Sequence, residues 1–218
     1  MQMTSESLFK IHDLEGVLAR LAERLEDKFV GIFSKETIKS CVMESYALLA
    51  ENATVIVHLP SLTERFARDR LTALAQSEFK IAKDKPEILF VCVHNAGRSQ
   101  MAAALAIQIS GGAVCARSAG SAPSDSIPSA IHEAMDEIGL NLAEAFPKPL
   151  TDEVVRAADV VITMGCGDAC PVYPGKLYQD WNLADPAELD AAGVVSVRKD
   201  IDARIRTLLT ELKVTASN

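Results

Sequence analysis

The 218-residue chain has no surplus of positive charge: 22 lysines and arginines stand against 30 aspartates and glutamates, a formal net of -8. With no basic excess to neutralise phosphates, nonspecific nucleic-acid binding is a poor expectation, and any anion site must be local. Long apolar runs are missing as well. No stretch approaches the length of a membrane span, and Met1 to Lys10 is polar, without the apolar core of an export signal. These absences predict a cytoplasmic protein with no membrane partner. The five cysteines are an odd number, unlike a secreted disulfide framework. Reduced thiols with a chemical task fit better.

What is present divides at a linker. With 49% hydrophobic and 24% charged residues the chain has the make-up of an ordinary globular protein, long enough for one large domain or two small ones. Leu14, Leu18, Leu21, Leu25 and Phe29 recur at helical spacing. Ser34 reads as the N-cap of a second helix carrying Ile38, Cys41, Val42, Tyr46 and Leu49. Pro60-Ser61 with Glu64 suggests a capping box opening a third, with Phe66, Ala67, Leu71 and Leu74 on its apolar face. Val55-Ile56-Val57 is either a short strand or the apolar end of a connection. Lys80 to Pro86, with three lysines and a proline, reads as the linker. We therefore expect a small all-α three-helix domain over 1–80, its role open, and a second domain over 81–218.

The second domain alternates: strand 87–92, helix 98–110, strand 113–118, helices 126–138 and 151–157, strands 159–164 and 177–181, helix 196–212. Such alternation predicts an α/β fold, a doubly wound four-stranded parallel sheet with helices on both faces. Its ligands should bind at the carboxyl ends of the strands, where strand order reverses. Cys92, Cys166 and Asp185 all follow strands and should share that edge.

The loop Cys92-Val93-His94-Asn95-Ala96-Gly97-Arg98-Ser99 lies between the first of these strands and an Ala-rich helix. A loop so placed aims unpaired backbone N–H groups and the positive end of a helix dipole at one point, where Cys92 sits. The dipole and the Arg98 charge favour a thiolate, and the planar guanidinium can hold two oxygens of a tetrahedral oxyanion. A lone Cys before a helix is often a small buried hydrophobe, but the position between strand and helix weighs against that.

Three motifs carry a family resemblance: Cys92 to Met101, Thr163-Met164-Gly165-Cys166-Gly167-Asp168-Ala169-Cys170-Pro171, and Trp181-Asn182-Leu183-Ala184-Asp185-Pro186. Together they resemble the low-molecular-weight protein tyrosine phosphatases and, within that fold, the arsenate reductases. The resemblance implies Cys92 as nucleophile, Arg98 as oxyanion clamp, Asp185 as general acid, Asn95 shaping the loop and Ser99 hydrogen-bonding the thiolate. Ser118, ending a strand on the same edge, is expected to support the Asn95 loop. It also implies arsenate as substrate. Two further thiols suggest a relay, in which Cys166 attacks the arsenylated Cys92 and Cys170 resolves the resulting bond, leaving a disulfide for a thioredoxin-like reductant.

Other readings of Cys166 and Cys170 stay open: a zinc pair, though no fourth soft ligand is near in sequence; inert packing; or a single reactive thiol, with a small cytoplasmic thiol attacking Cys92. Neither a metal nor a cofactor is expected, and Ala102-Ala103-Ala104 stands where many such reductases carry a cation-binding Glu. Ala187 and Glu188 follow Asp185-Pro186 where phosphotyrosine phosphatases usually have aromatics. A phosphomonoester phosphatase using the same three residues is the alternative. An oxyanion-sensing DNA-binding regulator fits poorly, since residues 1–80 hold 10 basic against 12 acidic side chains.

Overall fold

The computed structural model describes residues 13–165 and 170–214, and the chain divides into two compact units, Met1–Lys80 and Ile81–Asn218. In the first, three helices follow the apolar spacing of the sequence: α1 (Leu14–Lys28), α2 (Lys35–Ala50) and α3 (Leu59–Ser77). Leu18, Leu21, Leu25, Phe29, Ile38, Val42, Ala67 and Leu71 form their shared core. Asp13 caps α1 by accepting from the Gly16 amide at 3.1 Å, and Ser34 caps α2 through the Thr37 amide at 3.2 Å.

The expected capping box at α3 does not form. The helix starts earlier, with His58 at the N-cap and Pro60 in the first turn, so Ser61 is already helical and its hydroxyl donates to the His58 carbonyl. Glu64, freed from capping, pairs with Arg24 of α1 at 2.6 Å. Val55-Ile56-Val57 is no strand: this unit offers no sheet edge among the described residues to pair with it, and Val55 and Val57 are exposed.

The second unit is the expected parallel sheet, in the order β2-β1-β3-β4: β1 (Glu87–Cys92), β2 (Cys115–Gly120), β3 (Val160–Met164) and β4 (Leu177–Asp180). All six residues of β1 are buried, as a strand covered on both faces requires. Its helices are α4 (Arg98–Ile109), α5 (Ser129–Asp136), α6 (Asp152–Ala157) and α7 (Ala191–Glu211). The core runs through Ile88, Phe90, Met101, Leu105, Ile162, Met164, Trp181 and Ile201.

Three boundaries moved. β2 begins two residues later than the apolar pattern suggests, because Gly111 and Gly112 both take positive φ and lengthen the turn, and Cys115 is the residue that pairs with Glu87. Helix α5 starts at Ser129 because Pro128 occupies its N-cap in an extended conformation. Helix α7 starts at Ala191 because Asp190 accepts from the Gly193 amide at 2.8 Å and fixes the first turn there. Cys41 and Cys115 are half-buried. With β2 on one side of β1 and β3 on the other, strand order reverses at β1, and its carboxyl end is Cys92.

Candidate active site

The register aligns Cys92 with Gly120 of β2 and Met164 of β3. Beyond Cys92 the backbone leaves the sheet and reaches the α4 N-cap at Gly97. Its carbonyls are taken up on the β2 side: Ser121, Ala122 and Ser124 amides donate to the Cys92, Val93 and His94 oxygens at 3.1, 2.9 and 3.0 Å. In a planar trans peptide the following N–H points the opposite way. The amides of Val93, His94 and Asn95 therefore turn inward, and that of Asn95 does donate to Cys92 Sγ, at 3.2 Å.

Asn95 holds this turn with φ 47°, a left-handed conformation that Asn tolerates better than most residues. Gly120 must be glycine for the loop to pass, since a Cβ there would lie 2.7 Å from the Val93 oxygen and 3.0 Å from the Asn95 nitrogen. The Asn95 side chain is fully buried and bonded throughout. Its Nδ2 donates to Ser99 Oγ at 2.7 Å, and its Oδ1 accepts from the Lys148 amide at 2.8 Å and from Gln100 Nε2 at 3.0 Å. Ser99 Oγ in turn lies 3.0 Å from Cys92 Sγ. Ser118, expected to support Asn95, is not among its partners: it sits opposite Phe90, two pairs back from Cys92. Gln100 and the Lys148 amide take that place. Both escaped the sequence reading, Gln100 because a helix-forming Gln carries no signal of its own, and Lys148 because it contributes backbone.

Arg98 is buried at the start of α4, with Nη2 2.7 Å from Asp185 Oδ2 and Nη1 donating to the Leu183 carbonyl at 3.4 Å. Asp185 also caps the short 3-10 turn Pro186–Glu188 through the Ala187 amide. The Asp185-Pro186 segment packs directly on the loop, so that a Cβ on Gly97 would lie 2.8 Å from Pro186. Cys92, His94, Ala96, Gly97, Arg98 and Asp185 line one cleft of ≈ 200 Å³, whose rim is Pro128, Ala130, Ile131, Pro186, Ala187 and Leu189. A thiol on its floor, inward amides, a guanidinium and a carboxyl group make a cavity suited to a tetrahedral oxyanion undergoing attack by sulfur.

Of the other two thiols expected here, Cys166 lies outside the described residues and Cys170 is buried, with its Sγ 3.8 Å from the Pro171 carbonyl. Gly165, immediately before Cys166, has φ 75° and comes so close to Arg98 that a Cβ would lie 3.0 Å from its Nη1.

Residues 87–218 match the low molecular weight phosphotyrosine protein phosphatase family, and residues 18–75 match the protein-tyrosine-phosphatase-like N-terminal domain. The chain belongs to the low molecular weight phosphotyrosine protein phosphatase family. Among solved structures it is similar to a thioredoxin-dependent arsenate reductase of Corynebacterium glutamicum, with 49% identity, 91% of this chain and 97% of that one covered, and a TM-score of 0.83. An arsenate reductase of Staphylococcus epidermidis is 35% identical over 127 residues, 56% of this chain and 95% of its own length. A glutaredoxin arsenate reductase of Synechocystis is 30% identical over 129 residues, 58% and 98% respectively. No helix among the described residues is long and apolar enough to cross a membrane.

Proposed function

We propose that this chain reduces arsenate to arsenite, with Cys92 as nucleophile. The observation that carries the reading is Cys92 Sγ on the floor of the cleft, held by the Ser99 hydroxyl and the Asn95 amide, with the Arg98–Asp185 pair across from it. Arg98 binds two arsenate oxygens while Cys92 attacks arsenic; Asp185 gives a proton to the departing oxygen, which leaves as water. Cys166 then attacks the Cys92 sulfur. A disulfide forms, the sulfur–arsenic bond breaks, and its electron pair stays on arsenic, which leaves as arsenite. Cys170 attacks Cys166, releasing the Cys92 thiolate, and the Cys166–Cys170 disulfide passes to a thioredoxin-like reductant.

Similarity to a thioredoxin-dependent arsenate reductase over 91% of the chain supports this donor over a glutaredoxin-type one, and the approach of Gly165 to Arg98 supports the part given to Cys166. The aliphatic rim argues against phosphotyrosine, because no Phe, Tyr or Trp side chain lines the cleft among the described residues. The test is arsenite formation by the purified full chain with thioredoxin and its reductase, set beside a glutaredoxin and small-thiol system. Multiple turnovers with thioredoxin alone, lost in Cys166→Ser and Cys170→Ser, are expected. Full turnover of both variants with a small thiol would replace the relay with external attack on Cys92, and aryl phosphate hydrolysis without arsenite formation would make the chain a phosphatase.

A further inference from the structure

Gln100 makes a set of contacts that the reaction above does not use. It is 4% exposed, and its Nε2 alone meets three acceptors: the Asn95 carbonyl at 3.0 Å, Asn95 Oδ1 at 3.0 Å and the Phe146 carbonyl at 2.8 Å. The two carbonyls can only accept, so the amide nitrogen, not its oxygen, must face them. Asn95 Oδ1 also receives the Lys148 amide, two residues beyond Phe146. Gln100 therefore both donates to Asn95 Oδ1 and ties down the backbone that brings the second donor.

This fixes the rest of the chain by elimination. With Oδ1 accepting from the Lys148 amide and sharing a Gln100 proton with a backbone carbonyl, Asn95 must present Nδ2 to Ser99, as the 2.7 Å contact has it. Ser99 has one hydroxyl proton; since its oxygen is accepting from Asn95, that proton is free for Cys92 Sγ at 3.0 Å. Were the Asn95 amide reversed, its oxygen would take the Ser99 proton and the sulfur would lose its hydroxyl donor, keeping only the Asn95 backbone amide. We propose that Gln100 is a positioning residue that sets the direction of this relay, so that Ser99 donates to Cys92 and the thiolate is favoured. The proposal rests on Cys92 being the reactive thiol. It adds a residue, in the first turn of α4 and outside the lining of the substrate cleft, that controls the nucleophile through two others.

The charged and titratable groups around Cys92 are His94 and Arg98 of its own loop and Asp185 across the cleft, with Lys148 behind Asn95. None is altered by Gln100→Met, which keeps length and loses the donors. The measurement is the pH profile of Cys92 alkylation by iodoacetamide, read by peptide mass spectrometry on the full chain. In the unaltered protein Cys92 should react ahead of the half-buried Cys41 and Cys115; no such preference would overturn the reading of Cys92 itself, and this proposal with it, without any variant. Gln100→Met should move the profile about one unit to higher pH, with about tenfold slower alkylation near neutrality, the size of one lost buried hydrogen bond. In a Ser99→Ala background the same change should add little. An unshifted profile, a uniform loss of rate at every pH, or equal slowing with and without Ser99 would each overturn the proposal. Gln100→Leu also removes the donors and adds no charge. It should give the same shift, and it carries the test if the Met variant does not fold.

Discussion

Among the described residues of Met1–Lys80 the buried polar side chains are Ser45, Thr63, Arg70 and Gln76; in Ile81–Asn218 Asn95, Arg98, Ser99 and Gln100 are buried within one short stretch. The first set is dispersed. Arg70 donates to Ser45 at 3.1 Å and pairs with the exposed Glu44 at 3.2 Å, which ties α3 to α2, while the Thr63 hydroxyl is buried with no partner among the described residues. In the second set Ser99 and the Asn95 amide reach one sulfur at the reversal point of a sheet, Gln100 braces Asn95, and Arg98 pairs with Asp185 across the same cleft. Burial of polar groups by itself marks either a brace between helices or a reactive centre. What separates the two cases is where the hydrogen bonds end: on another side chain that needs satisfying, or on a nucleophile facing a cleft.

The largest effects should come from the groups that end those networks. Cys92→Ser is expected to abolish arsenite formation and any aryl phosphate hydrolysis together, since both begin with the same attack. Arg98→Lys should be nearly as severe, because a point charge cannot reproduce the two-pronged contact. Steady-state kinetics on both variants check this, and near-normal turnover in either would dissolve the contrast between the units. Asp185→Asn should cost on the order of 10²–10⁴ in kcat, the usual scale for a lost general acid. It also releases Arg98 from its 2.7 Å partner, so inorganic phosphate, measured as a competitive inhibitor, should bind no more weakly than before.

Gly120→Ala probes the same loop through its backbone. The added Cβ meets the Val93 oxygen and the Asn95 backbone, which cannot rotate away. Displacement of a catalytic loop by about 1 Å is expected to cost roughly a hundredfold in kcat/KM. Unchanged kinetics would mean that the loop yields without consequence.

Much of this arrangement could be read in the residues. The doubly wound sheet followed from alternation, and the loop from a Cys and an Arg flanking a strand-to-helix turn. Cys92 and Arg98 were legible as a pair flanking that turn, while Ser99 and Asp185 entered through the family resemblance; Asp185 lines the same cleft as Cys92 and Arg98, and Ser99 lies 3.0 Å from the Cys92 sulfur. The groups that act by bracing Asn95 were not legible. Gln100 looks like any helix residue, and the Lys148 and Phe146 contributions are backbone groups 53 and 46 residues from their partners. Ser118 was misplaced because register, which sequence does not print, set it two pairs below the loop. The capping box failed for a similar reason, since Pro60 is compatible with a helix start at either side of it.

Within the helical unit, Thr63→Val replaces an unpartnered buried hydroxyl with a methyl of nearly the same shape and should stabilise by about 1 kcal/mol. The protein's single tryptophan, Trp181, lies in the core of the other unit. Tryptophan fluorescence therefore reports unfolding of Ile81–Asn218, and far-ultraviolet circular dichroism reports both units. The change should move only the dichroism transition; an equal shift in both would show that the two units unfold as one.

The smallest effect belongs to Arg24 and Glu64, which join α1 to α3 at 2.6 Å with half of the Arg24 side chain exposed. The hydrogen bond from Arg24 holds the Glu64 carboxyl below the usual carboxylate range, partly opposed by burial, with the Arg24 charge adding to the effect. A carboxyl group whose value is lower folded than unfolded stabilises the fold above the unfolded value and loses that contribution as pH falls through the folded one. Solvent screening keeps the pair to about 0.2–1 kcal/mol. Arg24→Ala should accordingly lower the helical transition by a small, constant amount above the ordinary carboxylate range, with the deficit closing as acid protonates Glu64 below that range. Because the pair is exposed, added salt should shrink the same deficit at neutral pH. A deficit independent of both pH and salt would mean that Arg24 acts through the packing of its aliphatic stem against α3, and the charge pair would then contribute nothing.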